Sequence, residues 1–265
     1  LLEKEFNLTE FASLKSQFMI FTRLYKMIGL IVPIVFALST NAQKQNVLTE
    51  AERKAGWQLL FDGSTTTGWR GAYATSFPTT GWKVENGELR GELTNGAEAG
   101  DAGDIVTFKK YKNFELVFDW KLGKGGNSGV KYFIEERLPK PEKGSQPGYE
   151  YQLIDDADYI YNDKHLPANL KTASIYDVVA AKKKDVKMNQ WHRSKIKVSG
   201  DHIEHWLDGV KVVDTRRDSE TFKKGLAAGK FHTYQGFDKI PEGHILLQDH
   251  GHNVAFRNIK IKQGT

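Results

Sequence analysis

The chain has 265 residues, with 38 Lys and Arg against 33 Asp and Glu and a formal net charge of +5. So mild and evenly spread a charge argues against a nucleic-acid binder: the densest basic run, Lys182-Lys183-Lys184, meets Asp185 at once and has no interleaved aromatics. The absence of cysteine excludes disulfide staples and a lipid anchor on a cysteine behind a leader.

In chain order, Leu1 to Phe18 precede the first methionine and read as an upstream translation artefact. Met27 to Leu38 is an unbroken apolar run, too short to span a bilayer. Arg23 and Lys26 precede it and the small residues Ser39-Thr40-Asn41-Ala42 follow, the order of a secretory signal peptide. Cleavage is expected after Ala42, which separates 1–42 as extension and leader from 43–265 as a single domain without a membrane span. The other reading of the run is an amphipathic or buried N-terminal helix. Export of a cysteine-free chain points to the periplasm or the exterior of a bacterium.

A short helix is expected over Thr49 to Lys54, capped by Thr49. Strand signals follow: Trp57 to Phe61, then Trp82 to Glu85 and Glu88 to Gly91 around Asn86-Gly87, a type I′ hairpin signal. Phe114 to Leu122 alternates, with Phe114, Leu116, Phe118, Trp120 and Leu122 on one face. Ser128 to Glu136 is a strand, followed by a loop bearing Pro139, Pro141 and Pro147. Tyr159 to Lys171 reads as a loop with a short helix or a rim cover. Trp191 to Val198, His202 to Leu207 and Val210 to Asp214 read as a meander turning at Gly200-Asp201 and Asp208-Gly209. Ile245 to Gln248 and Val254 to Ile261 complete the pattern of an all-β sandwich.

The stretch Tyr149-Glu150-Tyr151-Gln152-Leu153-Ile154-Asp155 is the most suggestive of chemistry. As a strand it puts Tyr149, Tyr151 and Leu153 on a core face and Glu150 and Gln152 on the other. A bulge at its end would return Asp155 to that polar face. Two carboxylates and an amide on one surface suit acid/base work on a sugar. A solvated half-exposed strand is the plainer reading.

Six motifs occur in order: Leu59-Leu60-Phe61-Asp62-Gly63 with Gly68-Trp69, Gly126-Asn127-Ser128-Gly129-Val130, Tyr149 to Asp155, Trp191-His192, His205-Trp206-Leu207-Asp208-Gly209, and Leu247-Gln248-Asp249-His250-Gly251 leading to Phe256-Arg257-Asn258-Ile259. Together they resemble the 3-keto-disaccharide hydrolase family over essentially all of 43–265. The resemblance implies a concanavalin A-like jelly-roll β-sandwich of two curved antiparallel sheets, with the site in the concave one.

For a sugar oxidised at carbon 3, the proton on carbon 2 is acidic and the oxygen on carbon 1 is a leaving group β to the ketone. A base, a proton donor and a group for the developing enediolate are then needed, and a divalent metal could supply the last. Glu150 is the candidate base or metal ligand, His250 its titratable partner, and Asp155 the second carboxylate. Gln152, Asn127, Ser128, Gln248 and His205 are expected to bind oligosaccharide hydroxyls, Lys131 to face the enolate, and Tyr176 to stack on a ring. Trp191 is a stacker or, more simply, core, and Arg257 a structural ion-pair partner. His244, His250 and His252 group around the penultimate strand, with spacing that matches no strong zinc motif. Two alternatives stay open: a non-catalytic carbohydrate-binding module, and a retaining β-glucanase, because Glu150-x-Gln152-x-x-Asp155 loosely resembles the Glu-x-Asp-x-x-Glu signature of laminarinases and lichenases. Gln and a shorter Asp stand where that signature has Asp and Glu.

Overall fold

Apolar alternation with period two, interrupted by Gly, Asn and Asp turns, folds here into two antiparallel sheets. The computed structural model describes residues 44–93, 103–137, 148–161, 165–234 and 236–264. The expected signal peptide and the loop of Pro139, Pro141 and Pro147 lie outside the described residues. Contacts gather Gln45–Thr265 into one compact unit.

Helix α1 (Glu50–Lys54) opens the described chain. Its Thr49 hydroxyl accepts from the Glu52 N–H, and the Glu52 carboxylate returns a bond to the Thr49 N–H. Strands β1 (Trp57–Leu59), β2 (Trp69–Gly71), β3 (Trp82–Glu85) and β4 (Glu88–Gly91) follow. The β3–β4 turn has positive φ at both Asn86 and Gly87, as a type I′ turn requires. Strands β5 (Ile105–Tyr111), β6 (Phe114–Leu122), β7 (Asn127–Ile134) and β8 (Tyr149–Ile154) precede the meander β9 (His192–Ser199), β10 (His202–Leu207) and β11 (Val210–Arg216). After helix α2 (Glu220–Ala228) come β12 (Gly243–Leu247) and β13 (Val254–Gln263).

The larger sheet runs β11-β10-β9-β6-β13-β4-β3, with β1 also on β13. The smaller runs β2-β5-β12-β7-β8. Their inner faces meet through aromatic edges: Phe118 meets Tyr151 at 5.6 Å and 84°, and Phe114 meets Tyr132 at 6.1 Å and 76°. The five alternating residues of β6 named from the sequence are all buried. Phe222 of α2 and Phe237 close one end of this core against Tyr149.

The elements β2, β5 and α2 carry weak sequence signals. In β5, alternation fails because Phe108 is exposed while Val106 is buried on the face opposite Ile105. In α2, Gly225 lowers helical propensity, yet a Cβ there would strike the Val178 carbonyl, so the close packing of helix on loop demands glycine.

Several expectations need correction here. His205 lies in the core, not in a groove: its Nδ1 donates to the Ala173 carbonyl at 2.8 Å, and its Nε2 faces the Tyr132 hydroxyl at 3.1 Å. Burial, partly offset by the Ala173 bond, pushes its pKa down to about 4. Ser128 faces inward and donates to the Gln248 carbonyl at 2.9 Å, which ties β7 to the end of β12. Trp191 is neither core nor an open platform. It is half-buried on the larger sheet, with the Arg257 guanidinium 3.9 Å and the Lys121 ammonium 4.7 Å from its ring. Arg257 also faces buried Asp119 at 3.7 Å, the ion pair expected of it.

Candidate active site

The outer face of the smaller sheet carries the polar residues of β7 and β8. Register sets one row across all five strands: Arg70, Val106, Leu246, Lys131, Glu150. In the next row Gln152 lies opposite Gly129, whose carbonyl accepts from the Gln248 N–H at 2.9 Å. Alternation therefore puts Glu150, Gln152, Lys131 and Gln248 on one face, two residues from row to row. All four are buried.

Glu150 and Lys131 form the centre of this face. Their charged atoms lie 3.6 Å apart, with side chains 5% exposed on each side. Burial of such a pair is tolerable because each charge offsets the other. Gly129 makes room for it: a Cβ at Gly129 would lie 2.8 Å from Glu150 Cδ and 2.9 Å from Cγ, and would collide with Oε1. This role for the glycine has a sequence cue, an Asn-Ser-Gly-Val strand opening, although no side-chain chemistry announces it. Gln152 turns its Oε1 toward the Leu153 N–H, which fixes the amide at 3.1 Å.

A strap beyond β8 continues the sheet. Ala173 donates to the Gln152 carbonyl, and Tyr176 donates through its backbone to the Glu150 carbonyl at 3.0 Å. Tyr176 thus stands beside Glu150, half-buried, with the Lys230 ammonium 4.7 Å from its ring and Phe231 edge-on. Ile154, Leu166 and Leu170 pack under this strap with Tyr159 and Tyr176, so the region from Tyr159 onward does cover a rim. Ala168–Leu170 supplies the short helical turn expected there.

Asp155 is turned away from this face. Its Oδ2 accepts from the Gly125 N–H at 2.8 Å and its Oδ1 from the Ala157 and Asp158 N–H groups, both at 3.2 Å. It knits the β6–β7 and post-β8 turns together and is thereby corrected from a catalytic to a structural residue. A retaining mechanism would lose its second carboxylate at this position.

The three histidines do not form one group. His244 lies in β12, paired with Ile134 and Lys110, whereas His250 and His252 lie in the connection after the strand. His250 is half-buried and stacks on His252 at 5.4 Å and 28°. Asn127 opens β7 opposite Ile154, buried, with its Nδ2 3.5 Å from the Tyr159 hydroxyl. Tyr159 therefore borders the face without having been singled out by type or spacing. At the far end of the Glu150 row, Arg70 holds Glu136 through two bonds, at 2.9 and 2.6 Å. Those bonds, against the effect of burial, keep the Glu136 carboxyl below its usual range.

Among the described residues, potential metal ligands converge within 4.8 Å at His202, Glu204 and Asp214 on the larger sheet. The Lys211 ammonium already supplies a cation there, bonded to both carboxylates. Beside Glu150, Lys131 plays the equivalent part and competes with a dication for the same carboxylate. No helix among the described residues is long and apolar enough to cross a membrane.

Residues 56–262 match the 3-keto-alpha-glucoside-1,2-lyase-like domain. A Bacteroides thetaiotaomicron 3-keto-disaccharide hydrolase is 33% identical over 261 residues, covering 87% of this chain and 86% of its own. A Parabacteroides distasonis crystal structure, provisionally described as a glycosyl hydrolase, superposes with a TM-score of 0.74 at 35% identity, over 84% of this chain and all of that one. A second such structure from the same organism gives 0.56 at 25% identity, over 74% of this chain and 99% of its own. With the family match spanning most of the sheet sandwich, the chain belongs to the 3-keto-α-glucoside-1,2-lyase-like family of carbohydrate-active enzymes.

Proposed function

We propose that the protein cleaves the glycosidic bond of 3-keto-disaccharides by elimination followed by hydration. The observation that carries this reading is the buried Glu150–Lys131 pair, seated against Gly129, which has no side chain to displace the carboxylate. Glu150 takes the proton from carbon 2 of the oxidised ring, and its electron pair becomes an enediolate. Lys131 offsets the negative charge that grows on the carbon 3 oxygen. The enediolate collapses, the bond from carbon 1 to the glycosidic oxygen breaks, and His250 delivers a proton to the departing oxygen. Water then adds to carbon 1 and a proton returns to carbon 2, so the net change is hydrolysis. Gln152, Gln248 and Asn127 hold hydroxyls, and Tyr176 offers a ring face.

The kinship with a 3-keto-disaccharide hydrolase supports this substrate class. The commitment of Asp155 to backbone amides argues against a two-carboxylate glucanase. The basic, apolar and small-residue order of residues 23–42 supports export to the periplasm or beyond.

The test offers wild type and Glu150→Gln a 3-keto-disaccharide and its unoxidised counterpart. The expected result is cleavage of the keto sugar alone, falling at least a hundredfold in the variant. Cleavage of the unoxidised sugar alone would overturn the reading, and cleavage of neither would leave a binding module in its place.

A further inference from the structure

Three segments meet at one end of the smaller sheet: the start of β7, the turn after β8 and the β12–β13 connection. The turn after β8 is set by the Tyr159 N–H donating to the Asp155 carbonyl at 3.1 Å. The connection is tied down by the Gly123 N–H donating to the Asn253 carbonyl at 3.0 Å. Tyr159 and His252 meet edge to face at 6.4 Å and 64°. Asn127 is 9% exposed, and its Nδ2 already addresses Tyr159.

Two polar atoms in this corner are unsatisfied. Asn127 Oδ1 and His252 Nδ1 are buried and have no hydrogen-bond partner among the described residues. A buried amide oxygen without a donor is destabilising, so a site that keeps one is suited to a ligand that brings the donor. A sugar hydroxyl both donates and accepts, and can serve an amide oxygen and an imidazole nitrogen together. Burial outweighs the opposing pull of the His250 backbone and the Asp249 carboxylate and lowers the His252 pKa, which favours the neutral ring able to share such a hydroxyl.

Position along the sheet says which ring is held. Asn127 pairs with Ile154, four residues beyond Glu150 and on the same face, or about 13 Å along the strand. That separation is comparable to the length of two linked pyranose rings laid along the face. We propose that Asn127, Tyr159 and His252 form the subsite for the departing sugar of the disaccharide, a corner that reads its hydroxyls and makes the enzyme prefer a sugar to a simple alcohol as leaving group. This inference rests on Glu150 being the base, which fixes where the oxidised ring lies.

The test compares a 3-keto-disaccharide with the methyl 3-ketoglycoside of the same oxidised sugar, using Asn127→Ala, His252→Phe and Tyr159→Phe. Melting curves first establish that each variant is folded, and His252→Phe keeps ring volume at a half-buried position should Asn127→Ala fail. In each folded variant kcat/KM on the disaccharide is expected to fall about tenfold further than on the methyl glycoside. Equal losses on both substrates, or no loss on either, would overturn the proposal. Equilibrium binding of the unoxidised disaccharide separates this from an error about the base. If the three variants weaken that binding about tenfold while Glu150→Gln still cleaves, the corner stands as a sugar-binding site, and the base assignment falls together with the choice of ring held there. If binding is unchanged in all three, the corner falls.

Discussion

Replacement of Gly129 by alanine isolates the central geometry of the site in one methyl group. Gly129 has no positive φ, so its backbone accepts alanine, and the conflict is confined to Glu150, whose Cδ and Cγ would lie 2.8 and 2.9 Å from the new carbon. Carbon atoms are comfortable at about 3.5–4.0 Å, so the carboxyl has to withdraw by about 1 Å from its place beside Lys131. A displacement of about 1 Å in a reacting group typically costs about a hundredfold in rate, or about 2.7 kcal/mol of transition-state stabilisation. Stability changes less: overpacking costs about 1–3 kcal/mol, and the reduced chain freedom of alanine returns about 0.5–1 kcal/mol. Initial rates on a 3-keto-disaccharide, with a melting curve for each protein, check the prediction. Glu150→Asp added to Gly129→Ala shortens the colliding side chain, so the two losses should add to less than their sum. A folded Gly129→Ala enzyme within threefold of wild-type kcat/KM would refute the assignment of Glu150.

Three further outcomes follow from residues outside that pair. His205 is held neutral in the core with its pKa near 4, below the usual 6.5, so its contribution to stability is complete above about pH 6.5 and lost as pH falls toward 4, roughly 3 kcal/mol in all. Melting temperature should therefore drop more steeply between pH 6.5 and 4.5 in wild type than in His205→Gln, and parallel profiles would contradict this. Asp155→Asn should keep most of the activity while melting a few degrees lower, since it weakens bonds to Gly125, Ala157 and Asp158; a thousandfold rate loss without loss of stability would restore a catalytic carboxylate there. Asp119→Ala removes the shared acceptor of Arg193 and Asn258 on the opposite sheet and should cost about 1–3 kcal/mol in urea unfolding with little change in kcat, because no part of it approaches Glu150.

The strands that carry strict alternation or a turn dipeptide were readable from the residues: β6, β10 and the β3–β4 hairpin show apolar faces or Asn-Gly between them. Strand β5 was not, because its second face is also buried over Val106 while Phe108 emerges, which breaks the alternation. The Glu150–Gln152 face was legible for the same reason as β6, since period two fixes which side chains travel together. Asp155 was misjudged because sequence gives the chemistry of a carboxylate but not its partners, and here three backbone N–H groups claim it. His205 and Ser128 show the same limit: a polar type in a motif can serve the interior if one carbonyl is in reach. Tyr159 and Gly129 carried too little pattern of their own, as one acts through a turn and the other by lacking a side chain.

The pairing of β1 with β13 has a consequence for how the protein comes into being. Trp57 meets Lys262, so segments about two hundred residues apart must find each other before the larger sheet is complete. Strand β13 also lies between β6 and β4, and the Asn46 amide grips its Asn258 backbone from the other side. Until β13 docks, β6, β4 and β1 lack their common neighbour, and the sheet margins stay unsealed. Trimming the second half of β13 strips β1 and β6 of their shared partner and should leave insoluble product.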